Sequence, residues 1–376
     1  MIYFDNAATT MVCPEAAEAA VKGMTECFGN PSSGHTCGRQ ASELLGQARQ
    51  TLASCLGARA SEITFTSGGS ESDNWALLGA ANALRHKGKH IITSAVEHDA
   101  IRRTVEELKN QGLEVTLLPP EADGSVSPEK VRAALCEDTI LVSLMAVNNE
   151  TGARTDIRGV SDVLKQSGSA ALLHTDAVQA FGKIPLNAKT MGADLISMSA
   201  HKIHAPKGVG AMYIRDGVRL RPLIRGGGQE NGLRAGTENV PGACAFAAAA
   251  AIAVREQTHT EQITAQFKRY IIDRLSRSIP DFTVIGDGIP QILCFSMPGW
   301  RSEVIMNWLD REGICVSKGS ACKKGARSHV LEALGLPAKV IDGALRVSFS
   351  RFNTEEETAS FCDALEEASR KILKMR

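Results

Sequence analysis

The sequence lacks an excess of charge of either sign, since 42 lysines and arginines balance 42 aspartates and glutamates. Proteins that bind nucleic acids or anionic membranes directly usually carry a basic surface or a polybasic segment. We therefore expect no direct nucleic-acid partner and no attachment to a membrane.

The ten cysteines include no pair with the spacing CxxC. Such spacing is typical of thiol redox motifs and zinc sites, and disulfide frameworks are typical of secreted chains. The pattern indicates free thiols in a reducing compartment. We therefore expect a cytoplasmic protein, and we predict no metal site.

Long apolar segments are lacking as well. The first six residues have neither a basic region nor an apolar core, so we expect no signal peptide. The longest run of small apolar residues, 243–254, is alanine-rich and too short to span a bilayer.

The 376 residues, 43% of them hydrophobic, suffice for about two domains with a sizeable core. From residue 63 onward, short apolar runs alternate with amphipathic helical segments. This alternation predicts an α/β fold with a mainly parallel sheet covered on both faces. The predicted strands span residues 63–66, 90–95, 113–118, 139–147, 170–174, 195–198 and 211–214.

Polar residues follow most of these strands, and ligands bind beyond the carboxyl ends of parallel strands. Lys202 follows the strand at 195–198, and His98, Asn149 and Asp176 follow others. A lysine buried there is costly as a bare cation, and lysines of this kind can form imines with carbonyl compounds. By itself Lys202 is better interpreted as a surface lysine on a loop, but the set of strand endings favours a cofactor site.

A glycine- and serine-rich loop, 67–72, lies between the strand at 63–66 and a predicted helix. Exposed N–H groups at the start of a helix bind phosphate, and a serine hydroxyl adds a donor. The loop matches neither the P-loop nor the GxGxxG pattern. It predicts either a phosphate site or an ordinary capped helix.

The C-terminal part is α+β in character, with predicted strands at 291–296 and 344–349. Residues 316–329 between them are small, glycine-bearing and basic, which indicates an exposed loop. Lysines and arginines near Cys322 in this loop favour the thiolate, which is the nucleophilic form of cysteine. Cys294 and Cys315 lie instead in apolar runs that are typical of a core.

Taken together, the motifs resemble the cysteine desulfurases (NifS/IscS-like) of the class V aminotransferase family. The resemblance extends nearly from end to end. The matching motifs are FDNAATT (4–10), GNPSS (29–33), TSGGSES (66–72), EH (97–98), VNNETG (147–152), HTDA (174–177) with Gln179, SAHK (199–202), RGGGQE (225–230), RAGT (234–237) and GSAC (319–322).

The resemblance implies fold type I of the transferases that use pyridoxal 5′-phosphate (PLP), with a seven-stranded sheet in the large domain. It implies that Lys202 holds PLP as a Schiff base, that Asp176 pairs with the ring nitrogen and that Gln179 bonds the ring oxygen. His98 is implied to stack on the ring and move protons, and Cys322 to attack the substrate sulfur. The residues implied to bind the phosphate are Gly69, Ser70, Ser199 and His201, with Thr237 from the neighbouring subunit. Asn149 and Arg346 are implied to bind the substrate carboxylate, and Asn149 is also a candidate for the cofactor ring.

The implied reaction converts L-cysteine to L-alanine and leaves the sulfur as a persulfide on Cys322. The implied partners are a second copy of the chain, in a homodimer, and a sulfur acceptor for iron–sulfur cluster assembly or tRNA thiolation. We predict a large domain at 14–254 and a small domain formed by 1–13 and 255–376. A selenocysteine lyase, another class V aminotransferase and a non-enzymatic sulfur-transfer scaffold remain alternatives.

Overall fold

The computed structural model describes residues 1–318 and 327–374. Cys322 lies outside these described residues. Helices and strands are numbered in chain order. The helices are α1 (Pro14–Thr25), α2 (Thr36–Leu56), α3 (Gly69–Leu84), α4 (Asp99–Asn110), α5 (Pro128–Ala134), α6 (Ile157–Gln166), α7 (Ala188–Met191), α8 (Val240–Arg255), α9 (Gln257–Ser278), α10 (Ser302–Arg311), α11 (His329–Ala333), α12 (Ala338–Asp342) and α13 (Glu355–Lys371). The strands are β1 (Ile2–Tyr3), β2 (Ile63–Thr66), β3 (His90–Ser94), β4 (Glu114–Leu118), β5 (Thr139–Met145), β6 (Leu172–Asp176), β7 (Leu195–Ser199), β8 (Gly210–Ile214), β9 (Thr283–Ile285), β10 (Ile292–Ser296), β11 (Ile314–Cys315) and β12 (Ala344–Ser348).

One large sheet organises the molecule. Within the described residues it has seven strands in the order β2-β8-β7-β6-β5-β3-β4. Strand β8 runs antiparallel to β2 and β7, and the remaining neighbours are parallel. The predicted fold class is confirmed, and the seven predicted strands match to within two residues at each end.

Both faces of this sheet are covered by helices. Neighbouring residues of one strand, such as Ile91 and Ile92 or Leu141 and Val142, belong to different apolar clusters. Successive side chains of a strand point to opposite faces, so each cluster marks one face. Helices α3 and α4 contribute to one cluster, and α2, α6 and α8 contribute to the other. This arrangement explains the unbroken apolar character of the strands.

A smaller antiparallel sheet, β12-β10-β9, lies in the C-terminal part together with the parallel pair β1 and β11. Phe4 from the chain start packs edge-on against Phe349 and Phe361 in this second core. Helix α13 begins with a capping box in which Thr354 and Glu357 bond each other's backbone N–H groups. The domain boundaries at 13/14 and 254/255 remain a prediction.

The structure corrects one predicted element. The sequence also predicts a short helix near Val178, but this segment is a series of turns, because the Asp176 carboxylate accepts a hydrogen bond from the Val178 N–H at 2.8 Å. A short aspartate side chain competes in this way with helical hydrogen bonding. Along the described residues, no helix is long and apolar enough to cross a membrane.

Candidate active site

A cavity of about 460 Å³ opens at the carboxyl edge of the large sheet. Strands β3, β5, β6 and β7 all end there, so the residues that follow them meet although they are far apart in the sequence. The small domain contributes Arg346 of β12 and His329 of α11. The predicted site residues that line the cavity are Gly69, Ser70, His98, Asn149, Asp176, Gln179, Ser199, His201, Lys202 and Arg346.

Helix α3 begins at the cavity without a side-chain cap. Its first flanking residue, Gly68, has no side chain that could bond the N–H groups of the first turn. Those groups and the positive end of the helix dipole therefore remain available to an anion. Gly69 is required by close packing, since a Cβ atom there would lie 2.6 Å from Cγ2 of Val178. Nearby, burial and the positive charges of Lys202, Lys207 and Lys183 lower the pKa of His201 to about 4, so His201 is a neutral group beside this cradle.

Lys202 follows β7 directly, and its ammonium group points back toward the start of the chain. It donates hydrogen bonds of 2.7 Å to the carbonyl oxygens of Ala7 and Ala8. Burial and the charge of Arg346 lower the pKa of Lys202 to about 8. At this pKa about a tenth of the amine is unprotonated at pH 7, far more than for a lysine at the ordinary value of 10.5, and the unprotonated form is the one that forms imines.

Asp176 is the last residue of β6. It lines the cavity and is buried. Within residues 1–318 and 327–374 it forms no salt bridge, and its hydrogen bond comes from the Val178 N–H. Burial raises the pKa of Asp176, while that hydrogen bond and the charges of His98 and Lys202 oppose the rise. A buried carboxylate without a close cation fits a ligand that brings its own positive charge.

Further buried acids lie behind Asp176. Burial and the charge of Asp176 raise the pKa of Asp73 well above its usual range, and burial raises that of Glu97 to about 8. His174 bonds the hydroxyls of Ser143 and Ser197 at 2.8 and 2.9 Å, and burial lowers its pKa to about 3. Burial thus disfavours the charged form of all three groups, whereas a backbone hydrogen bond and nearby cations favour the charged form of Asp176.

Two further residues that line the cavity, His98 and Gln179, are held by side-chain hydrogen bonds. His98 caps α4 through its Nδ1 atom, which accepts a hydrogen bond from the Ala100 N–H at 3.1 Å. A neutral His98 therefore carries its proton on Nε2. The Gln179 amide donates from Nε2 to the Ala7 carbonyl at 2.8 Å and accepts from Lys183 at 2.5 Å.

Arg346 closes the side of the cavity that belongs to the small domain. Its guanidinium group donates to the carbonyl oxygen of Asn149 and to the carboxylate of Asp5, both at 2.8 Å. Its Nε atom is buried and has no hydrogen-bond partner in the described part of the chain. A planar guanidinium with a free donor suits a ligand carboxylate.

Two predicted site residues remain, Thr237 and Cys322. Thr237 is exposed and does not line the cavity of its own chain. Cys322 falls within residues 319–326, outside the described residues.

Sequence reasoning missed Asp73, Lys183 and His329. Lys183 is four residues after Gln179, but the segment between them forms turns and not the expected short helix, so helical spacing gave no usable signal. Of the three, Asp73 and His329 line the cavity itself, and His329 bonds the Glu97 carbonyl at 3.0 Å. Among the described residues, no cluster of three or more histidine, cysteine or acidic side chains could hold a metal ion.

Residues 2–361 match the family model described as Aminotransferase class-V, and the chain belongs to this family. Among its curated relatives are proteins named cysteine desulfurase. One from Methanosarcina thermophila, cysteine desulfurase IscS, is 41% identical over 100% of this chain and 93% of the relative. Cysteine desulfurase 2 of Trichormus variabilis is 44% identical over 95% of this chain and 90% of the relative.

Solved structures agree with these relationships. A structure titled "NIFS-LIKE PROTEIN" has a TM-score of 0.94 and 38% identity, and covers 99% of this chain and 100% of its own. A structure titled "SspA in complex with cysteine" has a TM-score of 0.83 and 32% identity, and covers 94% of this chain and 100% of its own. The protein is accordingly a PLP-dependent enzyme of fold type I.

The cavity fits PLP on its own chemistry. It offers an uncapped helix start for the phosphate, a lysine amine for the aldehyde and an unpaired buried carboxylate for the ring nitrogen. The volume of about 460 Å³ lies in the range of small-molecule sites.

Proposed function

We propose that this chain is a cysteine desulfurase that converts L-cysteine to L-alanine and transfers the sulfur as a persulfide on Cys322. The observation that carries the proposal is the meeting of Lys202, Asp176 and His98 in one cavity. The relatives named cysteine desulfurase, which are 41–44% identical over nearly the whole chain, support the choice of substrate.

Apart from Thr237, the residues that would hold PLP all line the cavity. Lys202 would bind the aldehyde, Asp176 the ring nitrogen and Gln179 the ring oxygen. The phosphate would be held by Gly69, Ser70, Ser199 and His201, and by Thr237 of the other subunit of a homodimer. Bound PLP supplies an electron sink that stabilises negative charge at the α-carbon of an amino acid.

Lys202 and His98 are the two candidates for moving the proton of the substrate α-carbon. Nζ of Lys202 can accept and return a proton near neutral pH because its pKa is about 8. His98 is exposed at the rim of the cavity, where Nε2 faces no partner from its own helix. We propose that Asn149 and Arg346 orient the substrate by its carboxylate.

In the sulfur-transfer step, the Cys322 sulfur bonds to the substrate sulfur and the carbon–sulfur bond of the substrate breaks. The electron pair remains on the carbon, which takes up a proton to give alanine. L-cysteine and the Cys322 thiol thus become L-alanine and a persulfide, with no outside oxidant. Two basic residues near Cys322 in the sequence form salt bridges with other residues. Lys318 pairs with Glu303 and Arg327 pairs with Asp342, so neither is free to stabilise the Cys322 thiolate. The remaining local cations, Lys323 and Lys324, carry this part of the proposal.

The partners are proposals of the same kind. We propose a cytoplasmic homodimer that delivers sulfur to an acceptor protein, either an iron–sulfur scaffold or a tRNA-thiolating enzyme. Exposed apolar residues on and near α1 supply a surface for the second copy, namely Met11, Val21, Met24 and Phe28.

The decisive experiment compares Lys202→Ala and Cys322→Ser with the unmodified enzyme. We expect Lys202→Ala to lose the visible absorbance of lysine-bound PLP. Cys322→Ser should keep that absorbance and lose sulfide release from L-cysteine in the presence of a reducing thiol. Undiminished sulfide release by Cys322→Ser would contradict the role of Cys322. Alanine formation from cysteine, from selenocysteine and from a keto-acid pair separates a desulfurase from a selenocysteine lyase and from a transaminase.

A further inference from the structure

Lys183 has an unusual environment for a lysine beside the active site. It is half-buried, and its ammonium group donates a 2.5 Å hydrogen bond to Oε1 of Gln179. This bond, to an uncharged amide, is the hydrogen bond that its side chain makes in residues 1–318 and 327–374, and no carboxylate there pairs with it. Burial, together with the charges of Lys202 and Arg346, lowers the pKa of Lys183 to about 7. Burying a cation without an opposite charge is energetically unfavourable, which raises the question of what the Lys183 ammonium group stabilises.

The backbone around Lys183 is fixed on both sides. Its N–H donates to the Ala180 carbonyl at 3.0 Å, and its carbonyl accepts from the Gln291 amide at 3.3 Å. The preceding residue, Gly182, has a φ of +73°, and a Cβ atom there would lie 2.9 Å from Cβ of Ala253. The turn therefore needs a glycine, and it directs the Lys183 side chain toward Gln179.

We propose that Lys183 is a positioning residue that fixes the orientation of the Gln179 amide, so that this amide can only donate to the cavity. A glutamine amide can turn over by half a rotation, which exchanges its donor and its acceptor. Two contacts exclude the turned state. While Lys183 is protonated, the turned state would place the NH₂ group against its ammonium, and at any pH it would place the amide oxygen against the carbonyl of Ala7, which now accepts at 2.8 Å.

The consequence lies in the cavity, where Gln179 is one of the lining residues. Nε2 has two hydrogens, and one is used by the Ala7 carbonyl. The second is available to a ligand, which must present an acceptor, such as an ionised ring oxygen. Lys183 does not line the cavity, so it acts through Gln179 and not by contact. The inference rests on the proposed function, in which the ring oxygen of PLP faces Gln179.

The test measures PLP affinity of the apoprotein by equilibrium dialysis and the pH midpoint of the visible absorbance of the holoprotein. Lys183→Met should weaken PLP binding about tenfold, the effect of one hydrogen bond to a charged group. It should also raise the pH midpoint by about one unit, because a donor at the ring oxygen favours the less protonated state. Lys183→Arg, which keeps a charged donor, should remain within about twofold of the unmodified affinity.

Controls separate positioning from simple charge. Lys202 and Arg346 lie in the electrostatic environment of Lys183, and so do His201 and His204, whose pKa the charge of Lys183 lowers, so Lys183→Met removes a charge effect as well as a hydrogen bond. Lys189→Met removes the same charge from an exposed site six residues away and should change neither quantity. In a Gln179→Ala background, Lys183→Met should add no further loss of affinity, since the group that it orients is absent.

Three outcomes would overturn the inference: unchanged affinity and midpoint in Lys183→Met, an equal loss in the Gln179→Ala background, or an equal shift in Lys189→Met. Should Lys183→Met not fold, Lys183→Gln, which is uncharged, replaces it with the same expected direction. Failure of the proposed function is a separate result, in which the unmodified protein neither binds PLP nor forms alanine from cysteine.

Discussion

At the scale of single residues, burial sets the charges of the active site. Lys202 and His201 lose basicity because water is excluded from them and because other cations are near. The exclusion of water also raises the pKa of the acids Asp73 and Glu97. Burial therefore disfavours charge on these groups, and Asp176 is a buried acid whose charged form the nearby His98 and Lys202 favour.

The lowered pKa of Lys202 leads to a prediction for cofactor loading. Only the unprotonated amine attacks the aldehyde of PLP, so the rate follows the unprotonated fraction. That fraction rises about fivefold from pH 7 to 8 and less than about twofold from pH 8 to 9 if the pKa is about 8.

Mixing apoprotein with PLP and following the visible band between pH 6.5 and 10 measures this rate. An exposed lysine, with its pKa at the ordinary value of 10.5, would instead give a rise of about tenfold per pH unit up to about pH 9. A rate of that form would show that burial does not perturb Lys202.

At the scale of elements, the start of α3 is the most constrained feature of the site. Gly68 leaves the first turn uncapped, and Gly69 lets Val178 approach it closely. Gly69→Ala would place a methyl group 2.6 Å from Cγ2 of Val178. Overpacking of this kind typically costs about 1–3 kcal/mol, so we expect PLP affinity to fall tenfold or more.

Relief of the clash identifies its cause. The double variant Gly69→Ala, Val178→Ala should recover most of the lost PLP affinity, measured by equilibrium dialysis against the single Val178→Ala variant. Equal affinities for Gly69→Ala and the double variant would assign the effect to the backbone of α3 and not to the contact with Val178.

Elements with a strong periodic pattern were predictable from the sequence. The strands of the large sheet are continuous apolar runs bounded by polar residues, and they agree closely with β2–β8. Strands β1, β9 and β11 have two or three residues each, too few for a pattern of period two. The turns at Val178 depend on one hydrogen bond that the Asp176 carboxylate accepts from the Val178 N–H, and apolar periodicity does not predict such a bond.

The same reasoning explains which site residues could be found. His98, Asp176 and Lys202 follow strands in the sequence, so the edge of a parallel sheet brings them together. Lys183 and Asp73 could not be found in this way. Lys183 lies in a turn and Asp73 lies within α3, and only their burial in the folded chain distinguishes them from ordinary charged residues. Arg346 comes from the small domain, and only the resemblance to a known family suggested it.

At the scale of the whole molecule, the position of Thr237 bears on whether one active site is formed by residues of two chains. It is exposed beside Gly236, in a segment with the exposed apolar residues Leu223 and Ile224. It does not line the cavity of its own chain in the described structure. Its predicted contact with PLP phosphate is therefore expected only across a dimer.

Mixed dimers test this arrangement directly. Homodimers of Lys202→Ala should show no visible PLP band, and homodimers of Thr237→Ala should bind PLP about tenfold more weakly through loss of one hydrogen bond to a phosphate.

A dimer with one chain of each kind, purified through two different tags, would contain one site with an intact lysine. If Thr237 serves the opposite subunit, the threonine at that site comes from the Lys202→Ala chain and is also intact. Titration with PLP should then show one visible site per dimer with the affinity of the unmodified enzyme. If Thr237 acts within its own chain, that site lacks it, and the mixed dimer would bind as weakly as the Thr237→Ala homodimer.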